Sequence, residues 1–106
     1  LERDLGKAGL ETISIILYKG PIAKSDIDFI RGVNSQYILR ALLVRGLVER
    51  TGNTKNRSPL YQATFDLIRF LGISSVKELP DYETIQKSIS ESITPLGEPP
   101  EIINEQ

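Results

Sequence analysis

Two helical segments separated by only Gly32-Val33, a long apolar helix before them, and two short alternating strands around a polar loop after them predict one fold class. It is mainly α with a small β-hairpin, a winged helix-turn-helix. A chain of 106 residues suits one domain of this kind and is too short for two comfortable ones.

The first helix spans Arg3 to Lys19. Leu10, Ile13, Ile16 and Leu17 recur at helical spacing, and Ile15 falls off that stripe, so several neighbours must bury it. Lys19-Gly20-Pro21 stops it, since Gly leaves a helix at little cost and Pro cannot continue one. Ile22-Ala23 is extended. Ser25 and Asp28 nearly match a capping box, opening a second helix through Ile27 and Ile30 that Gly32 ends. A third helix starts at Asn34, whose side chain can accept from a free backbone N–H, with Val33 spaced to staple onto Ile38. Ile38, Leu39, Ala41, Leu42 and Leu43 give it a broad apolar face before Gly46.

Leu47-Val48-Glu49-Arg50 alternates as a strand, Thr51 to Pro59 has turn chemistry, and Leu60 to Thr64 returns as the second strand. Thr64 can cap a fourth helix, Phe65 to Leu71, with Leu67, Phe70 and Leu71 on one face. Ser75 and Glu78 start a single turn that Pro80 terminates. The winged helix therefore occupies residues 1–80.

Residues 81–94 form an amphipathic helical extension. Tyr82, Ile85, Ile89 and Ile93 fall three, four and four apart, while Thr84, Ser88, Ser90 and Ser92 weaken the helix by competing for its backbone hydrogen bonds. Such a stripe either folds back onto the domain or docks on another chain, and these residues with Tyr37 are the candidate partner-binding set. Residues 95–106, with three acids and two adjacent prolines, read as a disordered acidic tail.

Composition narrows function. Without Cys there is no thiolate nucleophile or sulfur-ligated metal, and without His the commonest general base and metal ligand are missing. No G-x-x-x-x-G-K-[ST] run offers a nucleotide site. The reading is a non-enzymatic protein with no cofactor and no metal. No apolar run approaches the roughly 20 residues that cross a bilayer, so no membrane association is expected and the location is cytoplasmic. Met is absent even at position 1, as expected of a piece of something longer. Residues 1–77 carry 12 Lys/Arg against 7 Asp/Glu, whereas residues 78–106 carry 1 against 7. A mildly basic body permits nucleic-acid contact and the acidic tail opposes it.

The candidate nucleic-acid set is Asn34, Ser35 and Gln36 at the start of the third helix, Arg40 and Arg45 along it, and Lys55 and Arg57 in the wing. The competing reading is a solvated surface on a protein-binding module. Asp26 and Asp28 sit two apart, on different sides of a helix, and read as capping groups rather than a catalytic pair. Asp66 suits a helix dipole. Tyr18, Phe29, Tyr37, Tyr61, Phe65 and Phe70 are expected mainly in the core, Tyr37 least so. Arg31 is expected to bond carbonyls at the end of the second helix.

Gly9-Leu10-Glu11-Thr12-Ile13-Ser14-Ile15-Ile16-Leu17-Tyr18-Lys19-Gly20-Pro21-Ile22 resembles a signature of segregation and condensation protein B, A-L-E-T-L-A-I-I-A-Y-x-Q-P-I. Asp26 to Ser35 is similar to that family's E-I-x-x-I-R-G-V-x-S, and Leu39 to Val48 to its L-x-x-L-x-x-R-G-L-I. Pro59 to Thr64 resembles R-P-x-L-Y-x-T-T, and Phe70 to Pro80 is similar to F-G-L-x-S-L-x-x-L-P. The likeness runs in order over residues 5–80. Departures are Gly20 for Gln, Gln62-Ala63 for Gly-Thr, and a short wing. The resemblance implies the second winged-helix domain of that family, with dimerisation residing in an N-terminal domain not found here. It further implies a kleisin partner (segregation and condensation protein A), through it a structural-maintenance-of-chromosomes ATPase, and nucleoid association in chromosome condensation and partition. Kleisin binding through apolar surface implies little salt dependence. The alternative, a regulator binding duplex DNA through the third helix and wing, implies steep salt dependence, and weak non-specific contact is its milder form.

Overall fold

The computed structural model describes residues 2–93 and 102–103. The chain runs α1 (Glu2–Lys19), β1 (Ile22–Ala23), α2 (Lys24–Arg31), α3 (Gln36–Val44), β2 (Val48–Thr54), β3 (Pro59–Ala63), α4 (Phe65–Phe70), a 3-10 turn (Val76–Glu78), α5 (Tyr82–Ile93) and β4 (Ile102–Ile103). Three helices and a hairpin wing give the winged helix.

The core forms where helical spacing places apolar side chains inward. Ile13, Ile15, Ile16 and Leu17 of α1 meet Ile27, Ile38, Leu39, Leu42, Val48, Tyr61 and Leu67, all buried. Ile15 joins this cluster from off the main stripe because α1 is surrounded by α2, α3, β3 and α5. Leu10, expected on the stripe, is instead exposed. The Thr12 hydroxyl, wholly buried, donates to Ala8 O at 2.8 Å, so burial leaves it satisfied. Gly6 breaks α1 near its start with φ 64 and ψ −160, a conformation that a Cβ disfavours.

The sheet order is β1-β3-β2-β4 and every pairing is antiparallel. Ile22 faces Tyr61 and Ala23 faces Leu60, while Arg50 faces Tyr61 and Asn53 faces Pro59. Thr51 to Thr54, expected as loop, belongs to β2. Gly52, at φ 137, absorbs the register shift between Arg50 and Asn53, so pairing overrides the local turn chemistry. Gly20 lies against the sheet: a Cβ there meets Ile16 O at 2.6 Å and Gln62 Cα at 3.3 Å.

Other expectations shift. Ala23, not Ser25, precedes α2, with no side-chain cap; the Ser25 N–H donates to Ser58 Oγ at 3.0 Å and ties the helix to the wing. α3 begins after Ser35, with Asn34 Oδ1 accepting from the Gln36 N–H at 2.8 Å. Val33 is exposed, which leaves no staple. Thr64 does cap α4, accepting from the Leu67 N–H at 3.1 Å, and its hydroxyl donates to Gly46 O at 2.7 Å. Yet α4 is short enough that only Leu67 is buried, and Phe65, Phe70 and Leu71 are exposed. With Phe29 and Tyr37 also exposed, Tyr61 is the one ring of the six expected inside that is buried, and Tyr18 is half-buried. The Arg69 guanidinium stands 5.6 Å over the Phe65 ring.

α5 folds back onto α1 and α2. Tyr82 stacks on Tyr18 with ring centroids 6.1 Å apart, the Tyr18 hydroxyl donates to Pro80 O at 3.0 Å, and Ile93 packs against the core. Most of the segment expected to be disordered lies outside the described residues; within it, Ile102 and Ile103 pair with Thr54 and Asn53.

Candidate macromolecular interface

A side chain that α3 does not use for the core is available to a partner. Gln36, Arg40 and Val44 recur every four residues and so form one row along its outer side. Tyr37 beside them is 85 % exposed and Val44 79 %. Apolar groups this open on a helix with a well-filled inner face make this side of α3 the candidate interface.

The row borders a groove of about 540 Å³ between α3 and the sheet, lined by Lys24, Gln36, Arg40, Leu43, Val44, Arg50, Pro59 and Tyr61. Arg50 reaches it because β2 places Arg50 across from Tyr61, which forms part of the wall. Neighbouring Glu49 alternates to the other side, where its carboxylate accepts from Gln62 Nε2 at 2.8 Å. Neither Arg40 nor Arg50 has an ion-pair or hydrogen-bond partner for its side chain among the described residues. Lys24 is engaged, donating to Asp28 at 2.7 Å and to Asn34 at 3.3 Å.

A polar network fixes the angle at which α3 leaves α2. Asp28 Oδ1 accepts from the Ser35 N–H at 2.8 Å, and Arg31 donates to Ser35 Oγ and to Glu11, each at 2.9 Å. Arg31 thus joins α1 to the turn rather than bonding helix-end carbonyls. Ser35 has no exposed surface, so these bonds compensate its burial. Burial pushes the Asp28 carboxyl up, but the bonds from Lys24 and Ser35 outweigh it and hold its pKa below the ordinary carboxylate value. Asp26 behaves oppositely. Its burial raises the pKa, partly offset by the Lys19 charge, and neither aspartate caps α2.

Of the nucleic-acid set, Gln36 and Arg40 lie together in the groove. Ser35 is locked inside the turn and Asn34 is occupied by Gln36 and Lys24, which removes two polar groups from base-edge contact. Arg45 follows α3, and Lys55 and Arg57 stand exposed at the wing turn; none of the three lines the groove. Of the partner set, Tyr37 is open to solvent, whereas Tyr82, Ile85, Ile89 and Ile93 are half-buried on a helix that lies on α1 and α2. Sequence reasoning missed Lys24, Leu43, Val44, Arg50, Pro59 and Tyr61 as one surface. The four-residue spacing of Gln36, Arg40 and Val44 was the signal for the helical part; only the folded hairpin brings the rest.

Among the described residues, no three His, Cys, Asp or Glu gather as a metal site, and no helix is long and apolar enough to cross a membrane.

The family model described as "Segregation and condensation complex subunit ScpB" matches residues 1–82. Segregation and condensation protein B of Clostridium tetani is 38 % identical over 91 residues, covering 84 % of this chain and 48 % of that protein. The protein of the same name from Caldanaerobacter subterraneus is 40 % identical over 85 residues, covering 78 % and 51 %. Among solved structures, ScpB from Mycobacterium tuberculosis superimposes with a TM-score of 0.60 at 29 % identity, covering 64 % of this chain and 43 % of that one. A conserved hypothetical protein from Chlorobium tepidum gives 0.61 at 28 % identity, covering 68 % and 46 %. The chain spans about half the length of the curated relatives it matches.

Proposed function

We propose, because this chain belongs to the segregation and condensation complex subunit ScpB family, that it acts as a non-enzymatic subunit of a chromosome segregation and condensation complex, binding a kleisin and through it an SMC ATPase. It works in the cytoplasm at the nucleoid. The observation that carries the reading is the outer face of α3, where Tyr37 and Val44 stand open beside the groove while α5 is occupied by the chain's own body. Apolar side chains held on a rigid helix favour association because little ordering remains to be done on binding.

Calorimetric titration of the full chain with purified kleisin tests this. Saturable binding is expected, weakened about ten-fold or more by Tyr37→Asp with Val44→Asp, since each ten-fold step is about 1.4 kcal/mol of lost contact. The melting temperature should not change, as both side chains lie outside the core. No binding, or equal binding by the variant, overturns the reading. A duplex DNA titration at two salt concentrations is run beside it. Tight, steeply salt-dependent binding lost on neutralising Arg40, Arg45, Lys55 and Arg57 would replace the kleisin reading with the DNA one.

A further inference from the structure

The groove is chemically lopsided. Lys24, Arg40 and Arg50 line it together with Leu43, Val44, Pro59 and Tyr61, and no carboxylate is among the lining residues. Lys24 already has Asp28, but Arg40 on the helix and Arg50 on the strand line the same groove without an ion-pair partner among the described residues. Guanidinium groups that line one groove with apolar walls suit carboxylates, which they bind in a fork geometry. A phosphate backbone would satisfy the charges but leave the open Val44 without a partner.

The edge of the sheet beside the groove already accepts an added strand. Ile102 and Ile103 pair along the outer edge of β2, Ile103 opposite Asn53, and Asn53 stands opposite Pro59, which lines the groove. In sequence this extended apolar pair is bracketed by Glu101 and Glu105. We propose that the groove between α3 and the β2–β3 hairpin binds an acidic segment of a protein partner, its carboxylates on Arg40 and Arg50 and an apolar side chain between Leu43, Val44 and Tyr61. The inference deepens the reading above by naming the chemistry that the partner presents, and it rests on that reading.

The test uses the isotopically labelled full chain, observed by backbone amide NMR. The probe is a short synthetic peptide alternating Glu and Leu, compared with its Gln-for-Glu counterpart and with a short DNA duplex. The acidic peptide should shift the amides of Arg40, Val44, Arg50 and Tyr61 saturably. The Gln peptide should bind about ten-fold more weakly, as should the acidic peptide to Arg40→Glu with Arg50→Glu. Equal binding of the two peptides, shifts centred elsewhere, no saturation, or DNA occupying the same residues more tightly overturns the proposal. Kleisin titrated against the same Arg variant separates the two ideas. Kleisin binding that is indifferent to charge reversal refutes the acidic groove and leaves the kleisin reading standing. Acidic-peptide binding in the groove without kleisin binding does the reverse.

Discussion

Asp28 links the turn to the placement of α3, and removing it should be felt in both stability and binding. Asp28→Ala takes the acceptor from the Ser35 N–H, at a residue with no exposed surface. Stranding a buried amide costs about 1–3 kcal/mol. The Lys24 pair, with both side chains about a quarter exposed at 23 % and 26 %, is lost as well, and a pair at this helical spacing adds only about 0.3–0.5 kcal/mol. The expected loss is therefore about 2 kcal/mol, or roughly 8–16 °C in melting temperature for a domain of this size.

Asp28→Asn keeps an acceptor and loses the charge, so it should fall about midway between wild type and Asp28→Ala. Its pH dependence identifies the cause. Because folding lowers the Asp28 pKa, the ionised carboxylate stabilises the fold above its unfolded pKa, and this contribution disappears as pH falls through the lower folded value. The gap between wild type and Asp28→Asn, measured by urea unfolding, should be complete at about pH 7 and nearly closed at about pH 2. A loss below about 0.5 kcal/mol for Asp28→Ala, or a gap that ignores pH, refutes the argument.

Three further outcomes follow from the same geometry. Asp26→Asn should stabilise the chain near pH 7 and have no effect near about pH 2, because burial raises the Asp26 pKa and only the ionised form is penalised; urea unfolding at both pH values checks the sign. Leu42→Ala, at a side chain with no exposed surface at the centre of α3, should cost about 2–5 kcal/mol by the same unfolding assay. Thr64→Ala removes both the cap of α4 and the bond to Gly46 O, with an expected loss of about 1–2 kcal/mol by calorimetric melting.

The helices were legible because their inward positions repeat at a short spacing and their ends carry Gly, Pro, Ser or Thr. The Thr64 cap and the Ser75–Glu78 turn followed from such local chemistry. What escaped was set by distant partners. Thr51-Gly52-Asn53-Thr54 has the composition of a turn, yet Pro59 across the hairpin and Ile102–Ile103 beyond it make it strand. Phe65 and Phe70 suggested core by residue type alone, but a helix as short as α4 turns only Leu67 inward. The Asp28–Ser35–Arg31–Glu11 network joins α1 to the α2–α3 turn, so no local spacing reveals it.

The same non-local contacts decide which apolar surface is left for a partner. One stripe, on α5, invites docking in the sequence, and the folded chain offers a second candidate along the outer row of α3. The body of the domain takes the first: Tyr82 stacks on Tyr18, and Ile93 reaches the core. The second cannot be taken, because the inner face of α3 is already filled by Ile38, Leu39 and Leu42, and the turn network holds that face inward. α3 is therefore fixed before any partner arrives, and the groove beside it is preformed. That placement makes the proposed interface separable from the fold. Arg40, Val44 and Arg50 are exposed and lie outside the core cluster, so reversing or introducing charge there should move affinity and leave unfolding free energy where it was. Asp28 and Arg31 should move both, since loosening the turn lets α3 swing and blurs the groove that it borders.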